Sequence, residues 1–189
     1  MANAGDQSNR ERFERLFADQ FDAVLAYALA RADPETAQDA VADAFLVAWR
    51  RLDEVPDPAR PWLLAVTRRT LATQRRSRNR QESVRHKIRL WDPEDATSLE
   101  SPSRIDAEVA KLALDRMSEA DRELLCLLAW DDLSQREAAF VLGCSIGAFR
   151  VRYLRARRRY RSAIDAELAG RSHVDHSTLS RLADEEKTA

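Results

Sequence analysis

The strongest signal in this chain lies in residues 133–161, which read LSQREAAFVLGCSIGAFRVRYLRARRRYR. Ser134, followed three residues later by Glu137, is typical of a capping box, which begins a helix by satisfying its first backbone N–H groups. The short helix should end at Gly143, because glycine adopts the left-handed backbone of a helix C-terminus without strain. Ser145 can cap a second helix. We therefore predict a helix-turn-helix.

The second helix of this motif is predicted to be amphipathic, with a cationic outer face. At about 100° per residue, the inward side carries Ile146, Phe149, Tyr153, Ala156 and Tyr160. The outward side carries Arg150, Val151, Leu154, Arg155 and Arg158, with Arg152 and Arg159 on one edge and Arg157 and Arg161 on the other. No acidic residue lies between 143 and 161. Most charged helices are only solvated surface, but those usually mix both signs, so the pattern favours a helix that enters the DNA major groove.

Composition favours an all-α protein of one medium or two small domains. The chain has 189 residues, 44% of them hydrophobic, which is enough to bury a core. It has only 4 glycines and 6 prolines, and no stretch alternates in the manner of a strand. The formal net charge is −1, yet arginines concentrate at 68–89 and 150–161, so local fields can attract nucleic acid.

The sequence gives no reason to expect a metal, a cofactor or a disulfide. Cys126 and Cys144 lack the spacing of a zinc site, and we expect both thiols to be reduced. His173 and His176 lie three residues apart without a third ligand nearby. Neither a signal peptide nor an apolar run long enough to cross a bilayer is apparent, so we expect a cytoplasmic protein without membrane insertion.

The first two predicted helices precede a proline-rich loop. Residues 1–9 are small and polar and should be disordered, whereas apolar residues at three- and four-residue spacing predict a helix from about 10 to 30. Asp33 and Pro34 should start a second helix that runs to about Leu52. Its outward face carries Asp39, Ala42, Asp43 and Leu46. An apolar side chain among acids on an outer face suggests a protein partner.

A second basic face is predicted on the third helix, which should run from Pro61 to about Arg78. Its outward positions are Ala65, Arg68, Arg69, Ala72, Arg75 and Arg76, with Trp62 on the flank. Arginines beside an aromatic ring suit a single nucleic-acid strand, because a base can stack on the ring while cations meet phosphates. Core filling is an equally good interpretation of Trp62.

The rest of the chain should contain a linker, two supporting helices and a polar tail. Periodicity is lost at 79–102, where proline and serine accumulate. Ser103 and Ser118 can each cap a helix before the helix-turn-helix. After about residue 170 the sequence turns polar and is expected to fray.

Three segments together resemble, in order and spacing, a bacterial extracytoplasmic-function sigma factor of the sigma-70 family. They are QDAVADAFLVAWRRL at 38–52, PWLLAVTRRTLATQRRSR at 61–78 and the helix-turn-helix stretch at 133–161. The resemblance implies sigma domain 2 at 10–80, a linker at 81–104 and sigma domain 4 at 105–168, with a disordered segment at 1–9 and a tail at 169–189.

The resemblance also implies a function and assigns residues to it. Such a protein binds core RNA polymerase, directs it to promoters and helps to open the duplex, without being an enzyme. The face with Asp39, Ala42, Asp43 and Leu46 would contact the β′ clamp helices, and domain 4 would contact the β flap. Trp62, Arg68, Arg69, Arg75 and Arg76 would hold the single-stranded −10 element. Arg150, Val151, Leu154 and Arg155 would read the −35 element, with Arg152, Arg157 and Arg158 on phosphates. An anti-sigma protein is an expected further partner.

Three residues depart from the family pattern. Arg69 stands where many relatives have asparagine, and Val151 stands in the recognition helix where a hydroxyl is usual, which favours contact with thymine methyl groups. Ala138 replaces a larger aliphatic residue, and Phe149 can fill the space.

Two other functions are compatible with a helix-turn-helix. A stand-alone repressor or activator would bind duplex DNA without polymerase, but it would not need the second basic helix. An enzyme that acts on nucleic acid, such as a recombinase, would need a carboxylate cluster, an activated nucleophile or a metal site, and none is apparent in the sequence.

Overall fold

The computed structural model describes residues 4–81 and 104–185, and within them every regular element is helical. The elements are α1 (Ala4–Leu29), α2 (Pro34–Arg50), a short 3₁₀ helix (Leu52–Glu54), α3 (Arg60–Gln81), α4 (Arg104–Asp115), α5 (Glu119–Ala129), α6 (Gln135–Leu142) and α7 (Ile146–Glu185). The all-α prediction is confirmed. The predicted linker falls almost wholly outside the described residues.

The described residues pack as two compact units. One holds α1, α2, α3, α6 and the adjoining ends of α5 and α7, from Leu127 to Phe149. The other holds α4, the rest of α5 and α7 from Arg150 onward. Because α6 packs against α3 within the first unit, the domain ranges 10–80 and 105–168 stay a prediction from the sequence.

The core of the first unit lies where α1, α2 and α3 meet. Its fully or almost fully buried side chains include Val24, Tyr27, Ala28, Val41, Ala44, Phe45, Ala48, Leu63, Leu64 and Thr67. The Thr67 hydroxyl donates a hydrogen bond to the Leu63 carbonyl at 2.9 Å, so its burial leaves no unpaired donor. Tyr27 is 1% exposed although the apolar spacing of α1 did not include it.

α3 is buried on more sides than its sequence predicts. Ala65, expected to face outward, is 4% exposed. The expectation is wrong because α3 packs against α1, α2 and α6, whereas periodicity analysis allowed it a single buried face. Arg31 and Asp131 form an ion pair at 3.0 Å in the same unit, and the Arg31 guanidinium also lies over the Tyr27 ring at 3.6 Å.

Helix boundaries agree with the prediction where the sequence has a capping or stop signal and differ from it where no such signal stands. Asp33 accepts the Thr36 N–H at 3.0 Å at the start of α2, as predicted. α2 ends at Arg50, just before the expected Leu52, and a 3₁₀ turn follows. The N-terminal helix begins at Ala4, not near residue 10, and α7 runs to Glu185 where fraying was expected near 170. Polar sequence without proline costs a helix little, so it does not by itself end one.

The second unit is built on a small apolar core from α4, α5 and α7. Val109, Ala113, Leu124 and Ala156 are between 0% and 2% exposed. The Asp121 N–H donates to Ser118 Oγ at 3.2 Å, which confirms the predicted cap of α5. No helix in the described ranges 4–81 and 104–185 is long and apolar enough to cross a membrane.

Candidate nucleic-acid interface

The short helix α6 begins with the predicted capping box. Ser134 Oγ accepts the Glu137 N–H at 3.3 Å, and the Ser134 N–H donates to Glu137 Oε2 at 2.8 Å. The two residues thus satisfy N–H groups that the helix itself leaves without partners.

The turn after α6 is closed by a left-handed glycine. Gly143 has φ of 66° and ψ of 37°, and its N–H donates to the Phe140 carbonyl at 3.0 Å. The Cys144 N–H reaches back to the Ala139 carbonyl at 3.0 Å, so two carbonyls at the helix end are satisfied. Beyond the turn, Ser145 Oγ accepts the Ala148 N–H at 3.2 Å and starts α7. The predicted helix-turn-helix is confirmed.

The first half of α7 presents the cationic face that periodicity predicted. Phe149 and Ala156 are fully buried on one side. On the other, Val151 is 49% exposed and Leu154 54% exposed. The same side also carries the exposed arginines Arg150, Arg155, Arg157 and Arg158. A cation-rich face with two apolar side chains can meet both phosphates and base edges of a DNA groove.

Two residues of α7 differ from their predicted environments, whereas the half-buried Arg152 fits its predicted position at the edge of the outward face. Ile146, expected to pack, is 37% exposed because it is the first residue of the helix. Arg159 donates a hydrogen bond to Asp121 Oδ2 at 2.6 Å, so an acid does neutralise part of the arginine run. That acid belongs to α5, 38 positions earlier, where a scan for acids close in sequence could not find it.

Burial changes the acidity of one side chain on the inner side of α7. The Tyr160 hydroxyl is half-buried, and its burial raises its pKa above the ordinary value, with the nearby Cys126 thiol adding to the effect. Its oxygen lies 3.5 Å from the Ala110 carbonyl oxygen.

The outer side of α3 is basic, as predicted. Arg69, Arg75 and Arg76 are exposed, while Trp62 and Arg68 are half-buried. A half-buried Trp62 remains compatible with both interpretations, because one part of the ring packs while another is accessible.

The outward face of α2 is acidic with an apolar centre. Asp39, Ala42 and Asp43 are exposed, and Leu46 is 46% exposed. Trp49 lies one helical turn after Leu46 and is 41% exposed, although it was not among the residues predicted for this face. The three-residue spacing from Leu46 would have placed it beside this face.

These surfaces lie within two segments that match known families. Residues 21–81 match the family described as Sigma-70 region 2, and residues 108–159 match Sigma-70, region 4. The first segment contains α2 and α3, and the second contains α6 and the first part of α7.

Two proteins of similar length are similar to the chain. One is RNA polymerase sigma factor CnrH of Cupriavidus metallidurans, 31% identical over 179 residues, which cover 88% of this chain and 94% of CnrH. The other is RNA polymerase sigma factor NccH of Alcaligenes xylosoxydans xylosoxydans, 30% identical over 165 residues, which cover 83% of this chain and 89% of NccH.

Solved structures extend the similarity to the fold. The sigma factor RpoE, in complex with the anti-sigma factor NepR from Bartonella quintana, aligns with a TM-score of 0.63 and 27% identity over 81% of this chain and 96% of that chain. CnrH, in complex with the cytosolic domain of CnrY, aligns with a TM-score of 0.52 and 26% identity over 82% of this chain and 88% of that chain.

Proposed function

The chain belongs to the extracytoplasmic-function group of the sigma-70 family and is an alternative sigma factor that directs transcription initiation, and we propose that the cationic face of α7 supplies its promoter specificity. Sigma factors are initiation factors and not enzymes, and we propose that this chain has no catalytic activity of its own. It acts where RNA polymerase acts, in the cytoplasm.

The −35 element is read by α7. The observation that carries this proposal is the exposed, one-signed face of α7, backed by the buried Phe149 and Ala156 and started by a capped turn. Base edges are met by Arg150, Val151, Leu154 and Arg155, and phosphates by Arg152, Arg157 and Arg158. Arginine pairs bidentately with guanine, while the branched Val151 side chain suits a thymine methyl group.

The −10 element is held by the basic side of α3. Trp62 lies near the start of α3, next to the proline-rich loop that precedes the helix. Farther along the helix, its basic side carries Arg68, Arg69, Arg75 and Arg76. Arginines neutralise the backbone of the displaced strand, and the accessible part of the Trp62 ring can stack on a base. Domain 2, at 10–80, thus opens the promoter, and domain 4, at 105–168, anchors it through the linker at 81–104.

Core polymerase is bound by the acidic face of α2. Asp39, Ala42, Asp43 and Leu46 contact the β′ clamp helices, with charge guiding the encounter and the exposed leucine supplying burial. Domain 4 contacts the β flap. RpoE is found in a complex with the anti-sigma factor NepR, and CnrH in a complex with the cytosolic domain of CnrY. We propose that an anti-sigma protein likewise binds this chain and holds it inactive.

Run-off transcription with purified core polymerase tests the proposal. Core polymerase with the protein should give a discrete transcript from a promoter template, and neither component should do so alone. Tight, sequence-specific binding of the free protein to duplex DNA, without transcription on addition of core polymerase, would instead identify a stand-alone regulator.

A further inference from the structure

Polar contacts hold α7 against α4 and α5 along one side. Arg159 Nη1 donates to Asp121 Oδ2 at 2.6 Å, near the start of α5. Two turns farther along α7, Glu167 Oε1 lies 2.7 Å from Arg116 Nε, just after α4. These contacts lie outside the segment of α7 that faces outward for DNA.

Asp121 is a nearly buried carboxylate that is paired with a cation. Its side chain is only 12% exposed, and it lies in the first turn of α5, where the helix dipole favours a carboxylate. A carboxylate with so little access to water needs a charged partner. Arg159 is that partner: its side chain is 64% exposed, but its guanidinium contacts the Asp121 carboxylate. The arginine is therefore committed to a protein contact.

The pair lies where it can control the rotation of α7 about its axis. Arg159 and Arg152 are seven residues apart, so they share one edge of the helix. Between them, Ala156 is fully buried but adds only a methyl group, and Tyr153 is half-buried. A directional ion pair at the edge adds to the resistance that this packing gives to rotation. A turn of about 20° would move side-chain tips at a radius of about 5–6 Å by about 2 Å, enough to break a hydrogen bond to a base.

We propose that Asp121 is a positioning residue for promoter recognition: by holding Arg159, its carboxylate fixes the rotation of α7 and so decides which side chains of 150–155 meet the base edges. Arg159 consequently makes no phosphate contact, although it lies in an arginine run and on the same edge as Arg152. This inference rests on the proposed reading of the −35 element by α7.

Arg152 is the matched control within the same edge. It is half-buried, and none of the described acids lies within 4 Å of its guanidinium. Removing Arg152 should therefore delete a phosphate contact, whereas removing Arg159 should release the helix. The two losses have different signatures, because phosphate contacts set the salt dependence of binding and base contacts set its discrimination.

The test uses holoenzyme reconstituted from core RNA polymerase and the full chain. Its probe is a duplex selected by the wild-type holoenzyme from a library randomised over the −35 element. The affinity for this duplex and for single-base variants is measured at several salt concentrations. The variants are Asp121→Asn, Asp121→Glu, Arg159→Ala, Arg152→Ala and Arg155→Ala, and far-UV circular dichroism establishes that each is folded.

Asp121→Asn and Arg159→Ala should each reduce discrimination between the selected duplex and its single-base variants at least about fivefold, which corresponds to the loss of one base contact. The slope of log affinity against log salt concentration should stay unchanged. Arg152→Ala should lower that slope by about one and keep discrimination. Asp121→Glu, which keeps a carboxylate at the start of α5, should retain discrimination to within about twofold of wild type, a result that separates loss of the ion pair from a local loss of stability.

The proposal is overturned if Arg159→Ala lowers the salt slope by about one while discrimination is retained, because Arg159 would then contact a phosphate. It is also overturned if Asp121→Asn leaves discrimination unchanged, or if a folded Asp121→Glu variant loses discrimination as Asp121→Asn does. Arg155→Ala distinguishes failure of the positioning role from failure of the proposed function. If this substitution also leaves discrimination unchanged, α7 does not read the −35 element.

Discussion

Two glycines four residues apart should respond in opposite ways to alanine. Gly143 ends α6 with φ of 66°, and a Cβ there would meet no surrounding atom within 4 Å. Since nothing clashes, the whole cost of Gly143→Ala is the strain of the left-handed backbone, about 1–2 kcal/mol. Gly147 lies inside α7 and also leaves open space for a Cβ. Gly147→Ala should therefore stabilise the protein, by about 0.5–1 kcal/mol at most.

The measurement is urea denaturation monitored by far-UV circular dichroism. The two variants are compared with a common dependence of the free energy of unfolding on urea concentration. Their free energies of unfolding should differ by about 1.5–3 kcal/mol, the sum of the two effects. Gly143→Asn serves as a further control, because asparagine tolerates the left-handed region and should lose less than alanine. If Gly143→Ala is as stable as wild type, the left-handed turn is wrong and the geometry of the helix-turn-helix is wrong with it.

Other surfaces give predictions of their own. Replacing Leu46 by Glu together with Asp39 and Asp43 by Lys should weaken binding to core polymerase more than about tenfold while helicity is kept, and an unchanged pull-down would refute the α2 interface. Trp62→Ala should weaken binding of holoenzyme to a forked −10 template about 5- to 150-fold, the equivalent of one lost stacking contact of about 1–3 kcal/mol, whereas a fall in thermal stability alone would assign Trp62 to the core. Because burial raises the pKa of Tyr160, its contribution to stability is present below the ordinary tyrosine pKa of about 10 and is lost as pH rises through the higher folded value. Tyr160→Phe should make unfolding less sensitive to alkaline pH, and an unaltered pH profile would contradict the shift.

Local signals predicted the parts of the fold that depend on neighbouring residues. The capping box of Ser134 and Glu137, the left-handed Gly143 and the cap at Asp33 each involve atoms within a few positions of one another. Such interactions can be identified from spacing alone, since the chain itself brings the partners together. The cationic face of α7 was predictable for the same reason: a regular helix fixes the direction of every side chain once its start is known.

The features that could not be predicted from the sequence depend on contacts between residues far apart in the chain. Ala65 is buried and Tyr27 belongs to the core because several helices surround them, and helical periodicity carries no information about how many neighbours a helix has. Asp121 and Arg159 are far apart in sequence, so the arginine run appeared to lack an acid. The start of α1 at Ala4 and the end of α7 at Glu185 were not predicted, because a polar segment without proline favours neither the helix nor the unfolded coil strongly.

We propose that the outward face of α7 gives the polymerase its promoter specificity. The decisive measurement is run-off transcription with holoenzyme that carries the triple substitution of Arg150, Leu154 and Arg155 by Ala. All three side chains are exposed, so the protein should stay folded and co-elute with core polymerase as wild type does. We expect the transcript to be lost while polymerase binding is retained. An undiminished transcript from the same promoter would contradict it.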